Sequence, residues 1–538
     1  MKKFLTLFLS IALANLVQAA TTFTNVQANN PQIAGDNSSN RTARFPTNKQ
    51  NEPTIAVNPT NSNMLLLAGA NDEQKEPPCG PGPVRGATAP ANDCSFFPFV
   101  GTSGVYTSSN GGTSWTNRGV LDDQAAWKAS PFVSDGDPVI VYGPKPNGSG
   151  GFTYANGARA YYASLASYKD GQSPFTSNPN KAPPELIVVS YSDDNGVTWS
   201  APVIAFTKEN PNNFNDKEDI WADKNPASPF FGRVFVTWTQ FRSANQLPAE
   251  PIFVTYSADG GSSFTAGNQL SPAGNNGTGN GRQGSAVRSG PDGSVYVAWE
   301  QASAQVVAIS RNGGDNWSKP ITIGAVADID AAIPGANFRT DSFVELAADP
   351  RANSSTLYAA WVNRTANGGR VVVSTSTDKG QTWSALQTVS TAGEGYAFFQ
   401  GLDVAPNGRV DIGYQALKAT DTSTFGTGNA LIDSYYVSNS GSGWSAPLKV
   451  TTTSSDPAAS AQNNLQLQFW GDYNTLVSSN AKAWFIYTDS RNGAGCTAVD
   501  AYQHAVDGSG PSAPKPAPQL ACPSQFGNTD VFVSVITP

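Results

Sequence analysis

The sequence predicts an all-β protein, a β-propeller of four-stranded blades, with seven blades as the first count and six as the alternative. Three observations predict it. A Ser-x-Asp-x-Gly-x-x-Trp turn recurs along the chain, β-like runs stand at fixed places around each copy, and the composition suits a turn-rich sheet protein. Charged residues make up only 14 % of the 538, while there are 51 Gly and 38 Pro. The polar surface must then be mostly Ser, Thr, Asn and Gln, as in extracellular all-β proteins.

The turn is complete in "SYSDDNGVTWS", with Ser192, Asp194, Gly196 and Trp199. It recurs as Ser108, Asn110, Gly112, Trp115 and as Ser257, Asp259, Gly261, Phe264. Two further copies are Ser310, Asn312, Gly314, Trp317 and Ser376, Asp378, Gly380, Trp383, and "SNSGSGW" (Ser438–Trp444) is one residue short. The Asp or Asn side chain can accept bonds from turn amides, and the glycine can take positive φ. The aromatic is then expected to fold back under the turn as a hairpin staple.

Other strands fall into register with the turn. Each copy follows a run such as "LIVVSY" or "RVVVSTS", and earlier runs such as "RVFVTW" and "SVYVAW" precede these. The unit reads strand A, turn, strand B, loop, strand C, the repeated turn, strand D. The A strands are "EPTIAV", "DPVIVY", "EDIWAD", "GSAVRS", "FVELAA", "GLDVAP" and "GDYNTLV", at roughly 50–85-residue spacing. The last unit stops at its C strand, "DVFVSVITP", so "TTFTNVQ" near the N-terminus is expected to supply the missing D strand and close the ring.

Residues 1–19 read as a signal peptide: Lys2 and Lys3, an apolar Phe4 to Val17, and small residues at Val17-Gln18-Ala19. Residues 20–538 are then one propeller domain of a secreted protein, extracellular or periplasmic, and no later segment could span a membrane. Removing two lysines takes the formal charge from −8 to −10, a sign that repels phosphate backbones and argues against nucleic acid. The four cysteines imply two disulfides; three pairings are open, with the local ones, Cys79–Cys94 and Cys496–Cys522, favoured. His504 is the sole histidine, which leaves little room for Ser-His-Asp catalysis or a His-based metal site. No cofactor or metal is expected. Asn/Asp-rich turns offer oxygens for Ca²⁺, but EF-hand spacing is absent. A monomer is expected.

The repeated turns resemble the Asp-boxes, or BNR repeats, of the sialidase superfamily, over nearly the whole mature chain. "NEPTIAVNPTNSN", "DKEDIWADKNPASPFFGRVFVTW" and "GDYNTLV…YTDSRNG" are similar to segments of secreted bacterial BNR-repeat proteins often labelled sialidase-like. The resemblance implies that the turns lie on one face of the ring. The A-strand starts and B-strand ends then surround a ligand funnel on the other. The starts carry Glu52, Asp137, Glu218, Asp219, Arg282, Arg339, Asp341, Asp472 and Tyr473; the ends carry Asp72, Glu300, Asp489 and Arg491.

A sialidase uses three arginines on the substrate carboxylate, a tyrosine nucleophile activated by glutamate, and a carboxylic general acid. The resemblance puts Asp72 at the acid position and makes Tyr473 with Glu218 a candidate nucleophile pair. It makes Arg282, Arg339, Asp341 and Arg491 candidate substrate-binding residues. The family's first arginine is missing, because that strand reads Asn51-Glu52-Pro53; Arg44 lies upstream. The implied function is a sialidase-like glycoside hydrolase acting on carbohydrate or glycoconjugate in the funnel. Another glycosidase using Asp or Glu pairs there, or a non-catalytic glycan- or protein-binding propeller, is the alternative.

Overall fold

The computed structural model describes residues 20–29, 44–80, 92, 94, 100–169, 172, 185–206, 213–244, 246–271 and 282–538. They form seven antiparallel sheets of four strands, in sequence order in the first six and closed by the chain's first strand in the seventh, the third carrying an extra strand, Gln246–Ala249. The innermost strands of blades 1 to 7 are Gln50–Val57, Phe132–Pro146, Asn213–Ala222, Arg282–Ser289, Glu345–Ala348, Tyr396–Val404 and Thr475–Ser478. The expected seven-bladed propeller is therefore the observed fold, and the six-bladed alternative is excluded.

The strands are buried on both faces, which explains their near-continuous apolar runs. In Val234–Ala244 of blade 3, Val234, Val236 and Trp238 pack with Tyr161, Ile187 and Val189 of blade 2. The alternate residue Phe235 packs with Val287, Val297 and Trp299 of blade 4. One strand thus feeds two inter-blade cores through its two-residue alternation.

The last blade is completed across the termini. Thr22–Gln27 lies antiparallel to Asp530–Thr537, from Thr22 opposite Thr537 to Gln27 opposite Phe532. Asn25 fastens it further, donating from Nδ2 to the Val450 carbonyl (2.6 Å) and accepting from the Thr452 amide (2.7 Å). Blades 1 and 7 then share one core, with Ile55, Ala68 and Tyr106 against Trp484, Ile486 and Val533.

The repeated turn has one geometry in all five copies. The glycine amide donates to the serine Oγ at 3.0, 2.8, 2.8, 2.8 and 2.9 Å for Gly112, Gly196, Gly261, Gly314 and Gly380. Each glycine has φ between 83° and 98°. The Asp or Asn Oδ1 accepts the serine hydroxyl and the amide four residues after itself, at 3.0 Å or less.

The turns do more than close hairpins, because each is gripped by the preceding blade. Trp484 Nε1 of blade 7 donates to the Gly111 carbonyl (3.0 Å), Arg159 of blade 2 to Gly260 (2.9 Å), and Arg311 of blade 4 to Lys379 (2.8 Å). A Cβ at Gly196 would meet Leu67 of blade 1 at 2.4 Å, so the turn must be bare there to seat on its neighbour. The aromatic staple holds only in part. Trp115 and Trp199 are buried, whereas Phe264, Trp317, Trp383 and Trp444 are half-buried, each packed at the margin of a core shared by neighbouring blades.

Both favoured disulfides form, Cys79–Cys94 and Cys496–Cys522, which suggests an oxidising, extracellular environment. They meet in one apolar cluster with Phe45, Ala461, Leu465, Val499 and Phe526. This cluster caps the ring beside blade 7 and includes two helices that the sequence reading did not foresee, Thr497–Asp507 and Pro518–Ala521. No helix among the described residues is long and apolar enough to cross a membrane. The expected signal segment, 1–19, lies outside the described residues.

Deleting Thr22–Gln27 should leave the Asp530–Thr537 edge unpaired, and open edges of that length associate. The expected outcome is a lower melting temperature and concentration-dependent oligomers in sedimentation. A monodisperse deletion variant as stable as the parent would contradict closure through this strand.

Candidate functional site

The funnel is built from a backbone irregularity repeated around the ring. In five blades the innermost strand slips register against its neighbour, between Asn51 and Thr54, Gly136 and Val139, Asp216 and Asp219, Gln283 and Ala286, and Phe398 and Gly401. Each slip holds a residue with positive φ: Glu52 (53°), Asp137 (50°), Lys217 (53°), Gly284 (65°) and Phe399 (46°). For the four with side chains this conformation costs about 1–3 kcal/mol each, and such residues gather at functional sites. The bulges bring Glu52, Asp137, Lys217 and Phe399 to cavities on the ring axis.

The wider cavity, about 530 Å³, is of ligand size. Its acidic lining is Glu52, Glu73, Asp135, Asp137 and Asp216; Phe214 and Phe469 supply aromatic surface, and Phe214 is 47 % exposed. Its cations, Lys49 and Arg339, are already paired. Lys49 bonds Glu73 (2.7 Å) in a buried salt bridge, and Arg339 clasps Asp472 through Nε (2.7 Å) and Nη2 (2.5 Å). Gly471, at φ 79°, lets these groups approach, because a Cβ there would stand 2.7 Å from Glu52 Cγ.

Glu52, Asp137 and Asp216 crowd together on this wall. Glu52 accepts from Asn71 Nδ2, and the same Asn71 takes the Asp137 amide at its Oδ1 (2.7 Å). Glu52 and Asp216 both come within hydrogen-bonding reach of the Asp137 carboxyl. Burial first, and then the Asp137 charge, raise both far above the ordinary carboxylate range. Asp135 and Glu185 form a second pair; burial lifts Asp135 to about 6, and burial with the Asp135 charge lifts Glu185 further.

A narrower cavity of about 110 Å³ continues along the axis, lined from every blade. Glu218 and Tyr473 both line it. Glu218 is 2 % exposed, neither of its oxygens has a hydrogen-bond partner, and burial raises it far above the ordinary carboxylate range. The Tyr473 hydroxyl donates to the Pro138 carbonyl (3.3 Å), with Lys217 Nζ 3.8 Å from the ring centroid. Burial, then Asp137, Glu52 and Glu218, push the phenol upward, opposite to what a tyrosine nucleophile needs.

The other candidates disperse. Asp72 does not line either cavity. It sits wholly buried inside blade 1 and accepts from Gln50 Nε2 (2.9 Å), Gln74 Nε2 (2.8 Å) and Tyr106 OH (2.6 Å), which ties it to the blade. Arg491 lies on blade 7, paired with Asp489 at 2.9 and 2.7 Å and stacked on Phe532, away from both cavities. Arg282 begins the inner strand of blade 4 opposite Gln301. Asp341 lines the narrow cavity and is lifted to about 7 by burial and by Asp328. Arg44, upstream, donates to the Gln519 carbonyl (3.1 Å).

Glu52 and Asp137 were visible as charged strand starts, but Asp135, Glu185, Asp216, Phe214 and Phe469 were not singled out. "GDP" and "FNDKED" held the signal: acids clustered where an inner strand begins.

No family model and no curated protein matches this chain. Among solved structures it is similar to the NanB sialidase from Streptococcus pneumoniae at 13 % identity, over 79 % of this chain and 80 % of that one, TM-score 0.35. It is similar to an α-L-arabinofuranosidase from Fusarium graminearum at 12 % identity, over 71 % and 90 %, TM-score 0.39. It is also similar to the Aleuria aurantia lectin in complex with α-methyl-L-fucoside, at 11 % identity over 76 % and 96 %, TM-score 0.39.

The raised carboxyls fix the sign of the pH dependence. An acid whose folded pKa is raised keeps a proton that the unfolded chain has released, so its contribution is present at low pH and lost as pH rises through the folded value. The window runs from about 4 through Asp135 and Asp403 (about 6), Asp341 and Glu345 (about 7) and Glu300 (about 8). The turn carboxylates Asp194, Asp259 and Asp378 (about 2) are depressed, and their contribution is lost below about pH 4. The melting temperature should therefore peak near pH 4–5 and fall toward about pH 8.5. A melting temperature that climbs over that interval would contradict the assignment.

Proposed function

We propose that this chain is a secreted carbohydrate-acting propeller whose funnel binds a neutral sugar and hydrolyses its glycosidic bond with paired carboxyls. One observation carries the reading: a ligand-sized axial cavity combines aromatic surface at Phe214 and Phe469 with carboxyls that burial and the Asp137 charge raise far above the ordinary carboxylate range. Aromatic faces pack against the apolar faces of sugar rings. A protonated carboxyl bonded to a second carboxyl is a proton donor with its base beside it. Glu52 is the proposed general acid. Asp137 accepts its proton in the resting site, and Asp135, lining the same cavity, is the candidate for the second carboxylate.

An acidic sugar fits this cavity less well. Its unpaired charge is negative, its two cations are engaged, and a carboxylate ligand would have to displace Asp472 from Arg339. The sialidase-like reading survives in this proposal as fold and ligand class, with the repeated turns read as Asp-boxes and residues 1–19 as an export signal.

The test is a panel of neutral aryl-glycosides with an aryl sialoside, run beside glycan-array binding. The expected result is turnover of a neutral glycoside and none of the sialoside. Glu52→Gln should lower kcat/KM roughly 100-fold or more, as loss of a general acid does. Phe469→Ala should act mainly on KM. Sialoside turnover alone would overturn the neutral-sugar reading, and glycan retention without any turnover would assign the funnel to binding.

A further inference from the structure

A second acidic constellation stands apart from the wide funnel cavity. Glu300 lies near the end of the second strand of blade 4, Val295–Gln301, and the linker to blade 5 carries Asp328 and Asp341. One carboxylate oxygen from each lies within 4.8 Å of the other two. Separations within that limit are compatible with three oxygens around a single Ca²⁺, whose bonds are about 2.3–2.6 Å. None of the three forms an ion pair among the described residues.

A neutral side chain points to the same place. Gln305 stands directly opposite Glu300 in the ladder and is wholly buried. Opposed residues of an antiparallel pair put their side chains on one face, about 5 Å apart. Its Nε2 donates to the carbonyl of Ser342 (2.7 Å), the residue after Asp341. The amide is therefore held on the face that Glu300 shares, beside the backbone of Asp341's neighbour, and its Oε1 makes no hydrogen bond. Glu300 Oε2 is likewise shut from solvent and unpartnered. A buried amide oxygen and a buried carboxylate oxygen without donors are costly unless something else satisfies them.

We propose that Glu300, Asp328, Asp341 and Gln305 form a Ca²⁺ site that ties blade 4 to the linker entering blade 5. All four offer hard oxygen ligands, the set Ca²⁺ selects. The linker is ordered by the pairing of Ala332 with Arg339 and by the Thr340 amide on the Ala331 carbonyl (2.9 Å). A cation at Asp328 and Asp341 would brace both ends of that loop, and with it Arg339 at the funnel wall. The inference rests on this cluster and not on the sugar proposed for the funnel.

The test is thermal melting and titration calorimetry of the full protein after EDTA treatment. Ca²⁺ should raise the melting temperature, Mg²⁺ much less, with Ca²⁺ affinity in the roughly 10⁻⁴–10⁻³ M range of extracellular modules or tighter. Glu300→Gln should weaken Ca²⁺ at least tenfold. In EDTA it should melt no lower than the parent, since it removes buried repulsion. Asp328→Asn, at an exposed position, gives the same reading if Glu300→Gln does not fold. No Ca²⁺ shift in the parent would overturn the proposal. So would a shift of undiminished size in the variants, which would place the ion on another acidic cluster.

Discussion

The pairing of Thr22–Gln27 with Asp530–Thr537 is the constraint on which the rest depends. Every blade has two buried faces, so an open row of seven would leave two apolar faces in water. Closing the ring also sets the funnel. Glu52 comes from blade 1, Asp137 from blade 2, Asp216 from blade 3 and Asp472 from blade 7. Their mutual repulsion opposes the closed arrangement, and the inter-blade cores sustain it. That is why protons, and not separation, relieve the charge.

The two faces of the ring divide the work. On one, the Ser-x-Asp-x-Gly turns use local side-chain bonds and a bare glycine to seat each blade against the one before it. Their aspartates are held ionised by four donors each. On the other, the bulged inner strands strain the backbone and bury carboxyls that few donors satisfy. Stability is generated on the turn face and spent on the funnel face, a division expected when a rigid scaffold carries a site such as the one proposed.

Most of the fold was legible because its signals are local and repeated. The turn spacing located the ends of five C strands, and alternation in runs such as "RVFVTW" gave strands with two buried faces. The unpaired final C strand pointed to the N-terminus. The helices at Thr497–Asp507 and Pro518–Ala521 were not legible, because they sit in a disulfide-held insertion that follows no repeat. The site was only half legible. Glu52, Asp137, Glu218, Arg339 and Tyr473 could be placed at strand starts, yet which of them meet depends on bulges that rotate single residues by a register step. Asp72 shows the limit: its place at a strand end was foreseen, but Gln50, Gln74 and Tyr106 claim its oxygens inside the blade. Arg491 shows the same, since Asp489 two residues earlier satisfies it locally.

The central claim is that ring closure forces funnel carboxyls to keep protons near neutral pH. Difference infrared spectroscopy of the intact protein measures this directly, because a protonated carboxyl absorbs apart from a carboxylate. The account predicts protonated-carboxyl absorption at pH 7 that diminishes in Glu52→Gln and in Asp216→Asn. A spectrum with only ionised carboxylates at pH 7 would contradict it.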